Sequence, residues 1–137
     1  MDLRLRGKRA LVTGSSRGIG RTIALSLADL KVDVAINFFR HRAPAEAVVR
    51  EIEARGARAL LVKGNVADEA HVSRMFDEIE AAWGGLDILV SNAASGVLKP
   101  VSELTLHHFH WTMDINAAAL LPLVQHFLHL PAHGPCS

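Results

Sequence analysis

The sequence predicts an α/β fold, a doubly wound parallel sheet with strand order 3-2-1-4, and three observations carry that expectation. Short β-branched or apolar runs alternate with longer segments of helical period, the pattern of parallel strands joined by right-handed helical crossovers. A glycine-rich turn, Thr13-Gly14-Ser15-Ser16-Arg17-Gly18-Ile19-Gly20, separates the first apolar run from the first helical segment. The composition fits one domain: 137 residues, 50% of them hydrophobic, with 15 Lys+Arg against 14 Asp+Glu.

Taken in order, strand one is expected at Arg9–Thr13, and helix one at about Ile19–Leu30, with Ile19, Ile23, Leu27 and Leu30 on one apolar stripe. Strand two is Val32–Phe38. Pro44 then suits the first turn of a second helix, which Ala47, Val48, Glu51, Ile52 and Arg55 carry to a C-terminal stop at Gly56. Strand three is Arg58–Lys63. Asp68 is placed to cap a third helix through Val72, Met75, Phe76, Ile79 and Trp83, ending at Gly84 and Gly85. Strand four is Leu86–Ser91, and a loop with Gly96 and Pro100 leads to a longer helix over Leu106–Leu121, which Pro122 should kink or end.

Composition narrows the function classes. A net charge of +1 gives no general reason to expect nucleic acid or an anionic membrane as partner. The single cysteine, Cys136, excludes an internal disulfide and a Cys-based zinc cage, and the N-terminus lacks the apolar run of a secretory signal, so a cytoplasmic address is expected. His126, His129 and His133 stand three and four apart, but Pro131 interrupts a helix there and no carboxylate accompanies them, so no metal site is expected. From Ile115 to Ser137 there is no Asp, Glu, Lys or Arg. The apolar stretch is still too short and interrupted for a membrane span of about 20 residues. Residues 1–121 are therefore read as one domain, and 122–137 as an atypical tail.

The glycine turn follows a strand and opens a helix, where exposed backbone N–H groups and the positive helix end meet a pyrophosphate. Gly14 allows the tight turn, Gly18 keeps a Cβ out of the way of the phosphates, and Gly20 allows close packing. The spacing is Gly-x3-Gly-x-Gly, and with it come GNVAD after strand three, LDILVSNAASG at strand four and MDIN on the next helix. In that order these motifs resemble the short-chain dehydrogenase/reductase family over nearly the whole chain to about Leu121. SNAASGVLKP followed by HWTMDINAAAL most resembles the NADPH-dependent enoyl-[acyl-carrier-protein] reductases of short-chain type, with 3-oxoacyl-[acyl-carrier-protein] reductases close behind. The resemblance implies that residues 1–121 are an incomplete NADP-binding domain, the N-terminal half of a Rossmann-like fold, with 122–137 the tail of a truncated or frame-shifted coding sequence; it further implies a bound NADPH and an acyl-carrier-protein thioester as substrate.

Cofactor choice is also legible from charge. No Asp or Glu stands at the end of strand two to bind the adenosine ribose and repel a 2′-phosphate; Asn37-Phe38-Phe39-Arg40-His41-Arg42 offers cations instead, and Arg17 adds another. Asp33 lies at the far end of the strand. By resemblance, the cofactor-binding set is Gly14, Ser15, Ser16, Arg17, Gly18, Ile19, Gly20, Asn37, Arg40, the adenine-contacting Asn65 and Val66, and the flanking Asn92, Ala93 and Ala94. Asn116 resembles the helix asparagine that supports a water-linked proton relay to a catalytic lysine. The family's catalytic Ser, Tyr and Lys come from strand five and the following helix. This sequence contains no tyrosine, and its lysines, Lys8, Lys31, Lys63 and Lys99, all precede that place. A non-catalytic nucleotide-binding module and a gene remnant are the rival readings. Strand four, with Leu86, Ile88, Leu89 and Val90, is expected to remain a sheet edge through which the chain self-associates.

Overall fold

The computed structural model of the chain describes residues 3–132. Four parallel strands, β1 (Arg9–Val12), β2 (Asp33–Phe38), β3 (Ala59–Lys63) and β4 (Ile88–Val90), form one sheet in the order β3-β2-β1-β4. Leu11 lies opposite Ala35 on one side and Leu89 on the other, and Ala35 opposite Leu60. Helices α1 (Gly18–Asp29) and α2 (Arg42–Ala54) cover one face of the sheet, while α3 (Glu69–Trp83) and α5 (Leu120–His129) cover the other. Between them, α4 (Leu106–Met113) runs into a π-helical turn, Asp114–Ala118.

Alternation along the strands distributes the core. Ala10, Val12, Val34, Ile36 and Phe38 pack towards α1 and α2, whereas Leu11, Ala35 and Val62 meet Val72, Met75, Phe76 and Ile79 of α3. All six residues of β2 are buried, as a central strand of a doubly covered parallel sheet requires. At the start of β2, Asp33 receives the Arg58 backbone N–H at 2.8 Å and its guanidinium at 2.7 and 2.9 Å, which joins β2 to the entry of β3. Asp68 caps α3 by accepting the N–H groups of Ala70 and His71, and Gly84 ends the helix in the left-handed region at φ 75°.

Three expectations need correction. The buried side of α1 is Gly20, Ala24, Leu25 and Ala28, while Ile19 is 74% exposed and Leu30 44% exposed. Small residues at four-residue spacing bring the helix axis close to the sheet, and the larger Ile23 and Leu27 pack only at the margin. The helix expected over Leu106–Leu121 is interrupted at the π turn, where the Ala119 N–H reaches back five residues to the Asp114 carbonyl. Pro122 does not end it: the break has already occurred, and Pro122 falls in the first turn of α5, where its missing N–H is not required.

The boundary expected between 121 and 122 lies inside a helix, and Leu123 is fully buried against α3. The chain after α5 returns to the sheet, with the Leu86 N–H donating to the Pro131 carbonyl at 3.0 Å. Cys136 and His133 lie outside the described residues. Among the described residues no helix is long and apolar enough to cross a membrane, and no three His, Cys, Asp or Glu gather as a metal site would require. His126 stacks on Phe76, and the His129 ring meets the Gln125 carbonyl.

Candidate nucleotide-binding site

All four strands end at one edge of the sheet, and the loops after them line a cavity of about 550 Å³. The loop after β1 contributes Gly14, Ser16, Arg17 and Gly18, and the end of β2 contributes Asn37 through His41. Gly64, Asn65 and Val66 follow β3, and Asn92 through Ser95 follow β4. Trp111 of α4 and Ile115 of the π turn close the remaining side. A crevice at the carboxyl ends of the strands is where doubly wound sheets bind ligands.

The backbone of the first loop explains its glycines. Gly14 adopts φ 62°, and a Cβ there would lie 2.9 Å from the Ala93 Cα. At Gly20 a Cβ would collide with the Gly14 carbonyl oxygen and the Asn92 carboxamide. Gly18, at φ 59° on the cavity lip, would direct a Cβ into open space, so the room there belongs to the cavity. This loop enters α1, whose first N–H groups have no intrahelical partner and carry the positive end of the helix dipole.

Polar side chains tie the loops to one another. Thr13 Oγ1 accepts the N–H groups of Asn92 at 2.9 Å and Ala93 at 3.0 Å, and Asn92 Nδ2 returns hydrogen bonds to the carbonyls of Thr13 and Gly14. Asn37, buried on the α3 face of β2, accepts the Gly14 N–H at 3.0 Å and donates to the Val62 and Gly64 carbonyls at 3.3 and 3.1 Å. Ser15 donates its hydroxyl to the Val12 carbonyl and accepts the Asn37 N–H. Asn116 accepts the Ser95 N–H at 3.0 Å and donates to the carbonyls of Ser95 and Thr112.

Of the residues expected at the site, Gly14, Ser16, Arg17, Gly18, Asn37, Arg40, Asn65, Val66, Asn92, Ala93 and Ala94 line the cavity. Ser15, Gly20 and Asn116 do not; they lie behind it as braces, and Ile19 points to solvent. The carboxamides of Asn37, Asn92 and Asn116 bond to protein backbone. Besides the residues of the four loops, the cavity wall carries the exposed guanidinium residues Arg17 and Arg40 and the apolar Phe39, Val66, Trp111 and Ile115. Arg40 sits 5.7 Å from the Phe39 ring centroid, whereas Arg42 turns away to Glu46 and Phe38. No Asp or Glu lines the cavity.

Sequence reasoning missed Thr13, His71, Ser95, Trp111 and Ile115. Thr13 directly precedes Gly14 at a strand end, a position whose side chain must face a neighbouring loop, and Trp111 and Ile115 carried a four-residue helical spacing. His71, whose Nδ1 accepts the Asn65 N–H, carried no local signal at all.

Comparison with known proteins supplies the remaining findings. A sequence model of the short chain dehydrogenase family matches residues 8–133. The chain is 41% identical over 131 residues to the hydroxynaphthalene reductase-like protein Arp2 of Metarhizium robertsii, a match covering 95% of this chain and 49% of that protein. It is 40% identical over 120 residues to 3-oxoacyl-[acyl-carrier-protein] reductase FabG of Staphylococcus aureus, covering 86% of this chain and 48% of that protein. The crystal structure of a short chain dehydrogenase from Burkholderia cenocepacia in complex with NADP superposes with a TM-score of 0.88 at 42% identity, covering 93% of this chain and 52% of that one. The chain spans about half the length of these relatives.

Proposed function

The chain belongs to the short-chain dehydrogenase family, and on that premise we propose that it forms the NADPH-binding part of a short-chain oxidoreductase. The observation that carries this reading is a cavity at the carboxyl edge with Arg17 and Arg40 on its wall and no acid among its lining residues. The residues fit the cofactor. The loop Gly14–Gly18 and the α1 N-terminus would hold the pyrophosphate, Asn65 and Val66 the adenine, and Arg17 with Arg40 a 2′-phosphate. Ala93 and Ala94 leave room beside the ribose. When bound, NADPH supplies the hydride; Trp111 and Ile115, at the far side, would exclude water from that end.

The likeness to FabG supports a 3-oxoacyl thioester carried by acyl-carrier protein as the substrate of the complete enzyme. An enoyl thioester is the second reading, favoured by SNAASGVLKP followed by HWTMDINAAAL. Neither reduction can borrow a phenolic proton from this chain, which has no tyrosine. A positioned acid contributes about 10²–10⁴ in rate, so the chain alone should bind NADPH and show no measurable turnover with either thioester. Repeated oxidation of NADPH by the purified chain, abolished by Gly18→Asp, would refute this.

Calorimetric titration with NADPH and NADH tests the binding itself. NADPH should bind more tightly, and because charge-assisted contacts contribute about 1.5–3 kcal/mol each, Arg40→Ala should remove at least about tenfold of the discrimination. Equal affinities of the unmutated chain for the two cofactors would overturn the reading.

A further inference from the structure

His71 stands behind the adenine side of the cavity and touches two of the segments that line it. Its Nδ1 accepts the backbone N–H of Asn65 at 3.1 Å, and its ring lies 5.9 Å from the Phe39 ring at a 48° tilt. Asn65 and Phe39 both line the cavity, one from the end of β3 and one from the end of β2. We propose that His71 is a positioning residue for the adenine side of the site and acts only as a neutral imidazole, so that dinucleotide affinity falls as pH falls. The inference rests on the cavity being an NADP(H) site.

The hydrogen-bond pattern assigns the tautomer. An acceptor Nδ1 needs a free lone pair, so the single ring proton sits on Nε2, 3.6 Å from Asp68 Oδ2. A second proton can go only to Nδ1, which would set two N–H groups against each other across 3.1 Å. The Asn65 N–H then loses its acceptor, and either the loop or the ring must move. The other braces named above are hydroxyl, carboxamide and backbone groups with no proton to gain in this range; His41 also lines the cavity and is the other titratable side chain on its wall.

The charged groups around this corner are Asp68, at the cap of the same helix, Arg74, one turn on, whose guanidinium donates to the Lys63 carbonyl, and Arg40 above Phe39. Histidine as a residue type changes charge between about pH 5 and 8, which sets the range to be compared. The sign identifies the mechanism. Were His71 instead a cation that drew in the 2′-phosphate, affinity would rise as pH falls.

The test uses NADP⁺, which survives mild acid, titrated into the unmutated chain, His71→Asn and His71→Leu at about pH 8 and about pH 5.5. An asparagine oxygen replaces Nδ1 as acceptor and does not titrate, while leucine supplies no acceptor. Between these pH values Kd of the unmutated chain should rise about three- to tenfold more than that of His71→Asn, as loss of one hydrogen bond allows. His71→Leu should bind weakly at both. The titrations of the 2′-phosphate and of the other histidines are common to all three chains and cancel. Equal pH profiles for the unmutated chain and His71→Asn, or relative tightening of the unmutated chain in acid, would overturn the inference. The Asn65 amide resonance gives a second readout that needs neither variant nor ligand: it should shift and lose exchange protection over the same range, and a constant signal would overturn the inference even if NADP⁺ binds. Absence of NADP⁺ binding at about pH 8 would remove the proposed function and this inference with it.

Discussion

At the carboxyl edge of the sheet each loop is tied to another segment by a polar side chain, whereas along α4 no residue is buried and Leu106, Phe109 and Met113 stand 75%, 58% and 43% exposed. Thr13 and Asn92 join the first loop to the fourth, Asn37 joins the first to the third, and Asn116 holds the fourth to the π turn. Nothing comparable closes the flank. β4 is a three-residue edge strand, and its side chains are only half-buried. The contrast is between an edge whose loops are braced by the chain's own polar side chains and a flank whose apolar side chains face solvent. A short edge strand limits pairing with a second copy, and the Leu86 N–H, bonded to Pro131, is not available to it.

The largest effect should come from α5, which joins the unusual tail composition to the closed part of the molecule. Leu123 is fully buried among the α3 side chains, so Leu123→Ala should cost about 2–5 kcal/mol of stability in urea unfolding. A loss of less than about 0.5 kcal/mol would place α5 outside the cooperative unit.

Gly20→Ala should cost less overall, about 1–3 kcal/mol, because the added methyl meets the Gly14 carbonyl and the Asn92 carboxamide and the loop must shift. It sharpens the comparison through a second readout: NADPH binding should weaken well beyond what the stability change implies, since the displaced groups belong to the braces. Unchanged NADPH affinity would show that the loop tolerates the shift.

On the flank the expected effect on folding is the smallest. Phe109→Ser should change stability by no more than about 0.5 kcal/mol, as for other exposed positions. Its consequence should appear in sedimentation across a concentration series, where the unmutated chain associates and the variant associates less. A monodisperse monomer at every concentration would show that the flank is protected and break the comparison from that side.

Much of this was readable beforehand, for identifiable reasons. Each expected strand appears within two residues of its place at each end, because burial on both faces demands continuous apolar runs. Asp68 and Gly84 mark the ends of α3 because capping is a local contest for a few backbone groups. The missing acid at the end of β2 needed only the strand's direction. By contrast, Ile19 and Leu30 misled because helical period identifies a stripe without saying how near the sheet lies; the seam of Gly20, Ala24 and Ala28 decided that.

The sequence by itself determined the order of elements, the parallel sheet, the glycine loop and the charge of its surroundings, all set by residues within a turn or two of one another. Only the tertiary structure decided what the polar side chains do. Asn37 and Asn92 are expected beside the cofactor and Asn116 in a proton relay; in the fold their carboxamides bond to backbone 23, 79 and 21 residues away. A carboxamide turns towards whichever unsatisfied N–H or carbonyl the folded chain brings beside it, because leaving a buried backbone group unpaired costs about 1–3 kcal/mol. That neighbour is a property of the packed sheet edge, and neither periodicity nor local propensity carries any record of it.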